Sequence, residues 1–312
     1  MSDVLKIAIL GANGQIGKSL ICQLHEEFKL QLFARKTEDV LSFLKRRFSK
    51  SDGFDVCDLK EFGAGNYDVI INAAGPGDPS EQRISNSNIL DVSEKLDRMV
   101  LDYLDKFPQT SYIYFSTGAV YDGDYKQAVD ENSVLSLSVD KLEGPQLYAL
   151  AKLSAEARHR ARPHNKIADI RLFGYISPFL NMQGSFFLSE VLKAVVQKTT
   201  FQTTPSDFVR DFVGPQEMAD LMRCLIKNNV PNGAYDLYSK MPVTKFEMIN
   251  ACVDRLNFKF EVSGNDADDK AVVKPSCISL RPQSRQIGYA PKGNSLEIVV
   301  RELKEALAWN TQ

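Results

Sequence analysis

At 312 residues, with 44% hydrophobic and 25% charged residues, the chain is long enough for one large or two modest domains, and disorder and collagen-like structure are excluded. A formal net charge of -2 gives no electrostatic footprint for nucleic acid, and no basic amphipathic stretch suggests a membrane surface, so small molecules are the expected partners. The five cysteines (Cys22, Cys57, Cys224, Cys252, Cys277) are widely spaced and lack a CxxC pair, which predicts free thiols in a reducing compartment. With only His25, His159 and His164 and no clustered ligand spacing, no structural metal is expected. No basic region precedes a long apolar run at the N-terminus, and no apolar segment reaches the length of a membrane span, so the cytoplasm is the expected location.

In chain order, the apolar run 6–10 ends at glycine and is followed by a helical pattern from Gln15 to about His25. The run 30–34 precedes a helix through Phe48, and short strands are expected at 54–58 and 68–75. From Asn88, positions Ile89, Val92, Leu96, Met99, Tyr103 and Phe107 recur at helical spacing until Pro108, and the strand 111–117 follows. After a polar loop, a helix carrying Tyr148 runs to about Arg162 and leads into a sixth strand at 166–173. Continuous apolar strands alternating with helices predict an α/β fold, a doubly wound parallel sheet covered on both faces. Beyond Phe173 the alternation loosens into helices near 184–198, 215–228, 243–256 and 295–309, a strand at 233–239, and a polar segment from Gly264 to Pro282 expected at the surface. The expected division is a dinucleotide-binding unit at 1–172 and a mainly substrate-binding region at 173–312, with 210–240 returning to the first unit.

The segment GANGQIG puts Gly11, Gly14 and Gly17 at the first strand-to-helix turn, where the backbone can approach a pyrophosphate at a helix N-terminus. Near the end of the second strand, an NAD site would place an acid for the ribose hydroxyls. Here Phe33 and Ala34 are followed by Arg35 and Lys36, which favours NADP over NAD unless the two cations are simply a solvated helix entry. Asp58, after the third strand, either meets the adenine amino group or caps its turn. Among 11 tyrosines, only Tyr148 has a lysine four residues later, Lys152, on the same helix face. An ammonium there would make a phenolate easier to form, although such a pair alone is a weak signal.

Taken together, GxxGxxG, NAAG at 72–75, FSTGAVY at 115–121, YALAK at 148–152, RDFVGPQEMADLM at 210–222, GAYDLYSKMPVTKFEMI and QIGYAP at 286–291 resemble the extended short-chain dehydrogenase/reductase family, its nucleotide-sugar epimerase/dehydratase group. The motifs are ordered and span nearly the whole chain. The resemblance implies a Rossmann fold in which Tyr148 is the general acid/base, Lys152 holds the nicotinamide ribose and lowers the tyrosine pKa, and Thr117 hydrogen-bonds the reacting oxygen. Ser116, its neighbour, is the weaker candidate, and both hydroxyls could instead satisfy backbone groups. For the cofactor it implies Gly11, Asn13, Gly14, Gln15, Ile16, Gly17, Arg35, Lys36, Asp58, Leu59, Ala73, Ala74, Gly75 and Lys152. For a nucleotide-sugar substrate it implies Thr117, Ala119, Tyr148 and Arg210, the arginine expected on the diphosphate. Helices near 88–106 and 145–162 would pair into a homodimer.

Departures from the family pattern narrow the chemistry. The dehydratases of the family carry Asp-Glu after the Ser/Thr, the decarboxylases carry Glu at the Ala119 position, and the 3,5-epimerase/reductases use Cys there; this chain has Gly118-Ala119. What remains is hydride transfer at one carbon: reduction of a sugar ketone, commonly C4, by NADPH, or 4-epimerisation with a retained NAD. A non-catalytic, dinucleotide-sensing relative is a third reading, disfavoured by the joint presence of Thr117, Tyr148 and Lys152. Gly174 stands where the family usually has an Asn that helps bind the sugar nucleotide, and the stretch from Glu131 to Pro145 is longer than the usual connection.

Overall fold

The computed structural model describes residues 4–49, 53–75, 89–121, 127–137, 139, 140, 142, 144–256, 258–263, 276–281 and 283–311. Its centre is a seven-stranded sheet of β1 (Lys6–Leu10), β2 (Lys29–Ala34), β3 (Asp55–Asp58), β4 (Val69–Asn72), β5 (Ser111–Thr117), β6 (Lys166–Leu172) and β11 (Gly233–Leu237). The spatial order is β11-β6-β5-β4-β1-β2-β3, and every pairing is parallel. Ile7, Ile9 and Leu10 are wholly buried, as a strand covered on both faces requires.

Helices α1 (Gln15–Leu24), α2 (Thr37–Arg47) and α6 (Pro215–Lys227) put Leu20, Ile21, Leu24, Val40, Phe43, Leu44, Met218 and Leu221 into a core on one face of the sheet. Helices α3 (Ile89–Lys106) and α4 (Gly144–Arg160) cover the other face, with Val100, Leu101, Leu104 and Ala155 against Ala8, Ile70, Tyr112 and Ile167. The buried face of α3 differs from the expected one. Val92 and Phe107 are exposed, whereas Asp97 is fully buried, because a polar partner set on α4 and the sheet takes up its carboxylate.

A second core lies between α5 (Phe187–Gln197), α7 (Lys245–Leu256) and α9 (Ser295–Thr311), with Leu188, Leu192, Met248, Ile249, Ile298, Val299 and Leu303 at its centre. Around it run short strands: β7 (Gly174–Tyr175) pairs with β10 (Phe212–Val213), and β8 (Thr200–Thr203) with β13 (Lys259–Val262). Strand β9 (Val209–Arg210) lies between β12 (Val243–Thr244) and β14 (Ser276–Cys277). A one-turn helix, α8 (Gln283–Gln286), leads toward α9. The segment expected at the surface is corrected in part: within it Cys277 is buried on β14, where β9 supplies backbone partners, and Ser279 bridges Val129. Positions 264–275 and 282 of that segment lie outside the described residues, as do 138, 141 and 143 of the long connection.

Candidate active site

Strand order reverses between β1 and β4, so their C-terminal ends open a crevice, the place where doubly wound sheets bind ligands. Gly11 has φ +81 there, and a Cβ on it would lie 2.7 Å from the Ala73 carbonyl oxygen and the Ala74 nitrogen. A Cβ on Gly17 would lie 2.3 Å from the Gly11 oxygen. Only glycine lets the loop after β1 nest against Ala73 and Ala74, which follow β4, while Gly75 continues with φ +140. At the start of α1, Gly14 offers no side-chain cap and the first turn holds no acid, so the N–H groups and dipole of that turn could meet an anion. Gln15 Nε2 is buried without a hydrogen-bond partner, and Ile16 packs on the core behind it. A pyrophosphate fits this cradle.

Arg35 and Lys36 are both exposed at the end of β2. A carboxylate also stands nearby: Asn13 Nδ2 donates to Asp39 Oδ2 at 3.1 Å. Asp39 lies in the first turn of α2, beyond the strand end at which the sequence reading sought an acid. Of the two readings of Asp58, the structure displays the cap: its Oδ1 accepts the Lys60 N–H at 2.8 Å. Leu59 opens that turn and packs beside the core containing Phe33.

Thr117 ends β5, its Oγ1 accepts the Ala119 N–H at 3.2 Å, and its hydroxyl is near enough to the Tyr148 phenol to draw that phenol's pKa down. Period-two alternation sends the neighbouring hydroxyl elsewhere, and Ser116 donates to buried Glu156 at 2.6 Å. The two serine/threonine candidates are thereby separated, and Thr117 is the one at Tyr148. Lys152 Nζ donates to the Phe115 carbonyl at 2.7 Å and lies 5.8 Å from the centre of the Tyr148 ring. Burial pushes Tyr148 up to about 12, with the Thr117 hydroxyl drawing it the other way, and the Lys152 ammonium is turned to a backbone carbonyl. Lys152 is itself drawn down to about 8, by burial first, against the pull of Asp97, Asp169 and Glu156.

The departures from the family pattern have a packing cause. A Cβ on Gly118 would lie 2.6 Å from the Phe173 ring, so that ring fills the space an acid at this position needs. A Cβ on Gly174 would lie 2.7 Å from the Asp211 backbone oxygen, where β7 crosses close to the segment joining β9 and β10. Ala119 joins Val120, Tyr121, Val129, Ala149 and Cys277 in one apolar wall. Cys277 pairs in register with Arg210, which brings that arginine's strand to the wall. The Arg210 guanidinium lies over the Phe208 ring at 4.4 Å, and its Nη1 donates to the Val209 carbonyl at 2.9 Å.

The sequence reading missed two buried polar groups near Lys152: Asp97, His159 and Asp169, linked through the His159 ring, and Glu156 with Arg171. A signal was present: Tyr148, Lys152, Glu156 and His159 repeat at the spacing of one helix face. All five cysteines are free. Among the described residues no group of three or more His, Cys, Asp or Glu side chains could hold a metal ion, and no helix is long and apolar enough to cross a membrane.

The fold is therefore that of a doubly wound, Rossmann-like protein with a glycine cradle at its switch point. The family model described as "NAD dependent epimerase/dehydratase family" matches residues 7–238, and the chain belongs to that family of enzymes. A search of curated proteins found no match. Among solved structures, the chain resembles a UDP-glucose 4-epimerase from Stenotrophomonas maltophila with bound NAD and formylated UDP-arabinopyranose, at TM-score 0.80, 13% identity and 98% coverage of both chains. It resembles a UDP-N-acetylglucosamine 4-epimerase from Methanobrevibacter ruminantium M1 in complex with UDP-N-acetylmuramic acid at TM-score 0.78, 14% identity and 99% coverage of both. A dTDP-glucose 4,6-dehydratase from Bacillus anthracis in complex with NAD follows at TM-score 0.75 and 15% identity, covering 99% of this chain and 97% of that one.

Proposed function

We propose that the chain is an NADP(H)-dependent oxidoreductase that reduces a keto group, C4 by preference, of a nucleotide-activated deoxy sugar. The observation that carries this reading is the grouping of Thr117, Tyr148 and buried Lys152, whose ammonium lies 5.8 Å from the Tyr148 ring, at a strand end where Gly118-Ala119 offers no second acid or base. A phenol pushed up to about 12 stays protonated at neutral pH, which suits a proton donor to an alkoxide formed by reduction. When bound, the nicotinamide supplies the hydride. Tyr148 delivers the proton, Thr117 orients the phenol and the carbonyl oxygen, and the Lys152 ammonium favours negative charge developing at that oxygen. The glycine cradle, with Asn13, Gln15 and Ile16, takes the pyrophosphate of the cofactor; Ala73, Ala74 and Gly75 line the opposite wall; Arg35 and Lys36 take a 2'-phosphate. Arg210 takes the diphosphate of the substrate.

We further assign residues 173–312 mainly to substrate binding, with 210–240 completing the cofactor-binding unit, and a cytoplasmic homodimer paired through α3 and α4. A second reading, 4-epimerase with a retained NAD, is favoured by Asp39 beside the glycine loop and by the NAD-bound 4-epimerase among the structural neighbours. The test is incubation with NADPH and a panel of 4-keto-6-deoxy sugar nucleotides, following reduced-nicotinamide absorbance together with product analysis. Stoichiometric oxidation with one new alcohol per NADPH supports the reductase. Interconversion of nucleotide-sugar epimers with no net cofactor consumption replaces it with the epimerase.

A further inference from the structure

Helix α4 buries a polar stripe where an apolar face would be usual. Lys152 is 7% exposed, Glu156 4% and His159 0%, and all three continue the helix face on which Tyr148 stands. Both ring nitrogens of His159 meet carboxylates: Nδ1 lies 2.6 Å from Asp169 Oδ1, on β6, and Nε2 lies 2.7 Å from Asp97 Oδ1, on α3. Ionised carboxylates only accept hydrogen bonds, so the ring carries both protons and is an imidazolium. Tyr112, on β5, donates to Asp97 Oδ1 at 3.2 Å and accepts from Asn72 Nδ2 at 3.0 Å. The Asn72 Oδ1 in turn accepts the Ala74 N–H at 3.1 Å, which ties the cluster to the wall of the candidate cofactor crevice.

The charges around this cluster do not cancel evenly. Glu156 is matched at once by Arg171 on β6, at 2.5 Å and 3.0 Å, and also accepts from Ser116. Arg158 and Arg160, both part-exposed, reach only the outer oxygens of Asp97 and Asp169, at 3.0 Å and 2.7 Å. Inside, two buried carboxylates share one imidazolium. Within this cluster Lys152 is the buried cation with no carboxylate within ion-pair distance among the described residues; its ammonium lies 4.5 Å from the centre of the Tyr114 ring, which is 5.3 Å from the His159 ring. An ammonium removed from water to this degree needs a fixed negative charge nearby.

We propose that Asp97 and Asp169, bridged by the His159 imidazolium, are positioning residues that serve as through-space counter-ions of Lys152 and keep its ammonium charged in the site. The inference rests on the proposed role of Lys152 beside Tyr148. It fits the opposing influences on Lys152, which burial draws down and Asp97, then Asp169, then Glu156 pull back up.

The test is a pH titration of the protein labelled with 13C at lysine Cε, followed by NMR, with the Lys152 signal assigned from its loss in Lys152→Arg. Asp97→Asn removes a negative charge, so Lys152 should titrate lower than in the wild type by roughly 1 pH unit. Arg158→Gln, a change at a part-exposed residue, removes the positive charge on the outer oxygen of Asp97 and should move the titration upward. Opposite shifts in the two variants support the proposal. An unchanged Lys152 titration in Arg158→Gln and in a folded Asp97→Asn overturns it; if Asp97→Asn does not fold, an unchanged Arg158→Gln overturns it alone. NADPH and NADH binding measured on the wild type separates the two levels: failure to bind either refutes the functional reading, and the lysine titration still decides the electrostatic one.

Discussion

The two sides of the candidate crevice are built by different means. On the cofactor side, five strands consecutive in the chain, each followed by a turn or helix, bring Gly11, Gly17, Ala73 and Ala74 together through parallel pairings between apolar runs. On the substrate side, strands of two to four residues are gathered from distant points: Arg210 pairs with Val243 and Cys277, and Gly174 with Phe212. The first arrangement follows from local apolar pattern. The second depends on close backbone contacts that a single side chain can block.

The largest expected effect tests the cofactor side. Tyr148→Phe should lower turnover by roughly 10²–10⁴-fold while dinucleotide affinity, measured by fluorescence titration, stays within a few-fold of wild type. Loss of both together would make Tyr148 a structural residue. Next, Gly174→Asn restores the residue usual in the family at the cost of a 2.7 Å approach to the Asp211 oxygen. Thermal or urea unfolding should find it destabilised by about 1–3 kcal/mol, and an unchanged midpoint would show that the substrate side yields more easily than its packing implies.

Smaller changes sharpen the comparison. Replacing Arg35 and Lys36 together by Ala should weaken NADPH binding about tenfold and leave NADH binding nearly unchanged, a difference that equilibrium titration reads directly. The smallest effect is on stability with pH. His159 is raised from 6.5 to about 9, because hydrogen bonds to Asp169 and Asp97 overcome the burial that would lower it. A raised folded-state value stabilises fully below the unfolded value and is lost as pH rises through the folded one. Asp211, raised to about 6, acts below this window, and Lys152, drawn down to about 8, acts with the opposite sign above it. Between pH 6.5 and 8 the stability should therefore fall by on the order of 1 kcal/mol, and His159→Gln should flatten that slope.

Much of the sheet was legible because β1, β4 and β5 are runs of apolar residues bounded by glycine, turn residues or a helix stop. The glycine spacing and the Tyr148/Lys152 pair were legible for the same local reason. The buried face of α3 was not, since Asp97 counts as polar in any periodicity and only its long-range partners on α4 make it a core residue. Nor could spacing show that the Lys152 ammonium would turn to the Phe115 carbonyl. Asp39 escaped because its approach to Asn13 depends on how α2 leaves the sheet. Strands β8 and β13 lie far apart in sequence and pair only through the second core, so neither run announces its partner.

The most direct measurement of the central claim is an equilibrium titration of the purified protein with NADPH and NADH, preceded by an absorbance scan for carried cofactor. A reductase that exchanges its cofactor at every turnover should bind both reversibly, with NADPH the tighter. NAD(H) retained through purification, or NADH bound the more tightly, would contradict the reductase and place the 4-epimerase first.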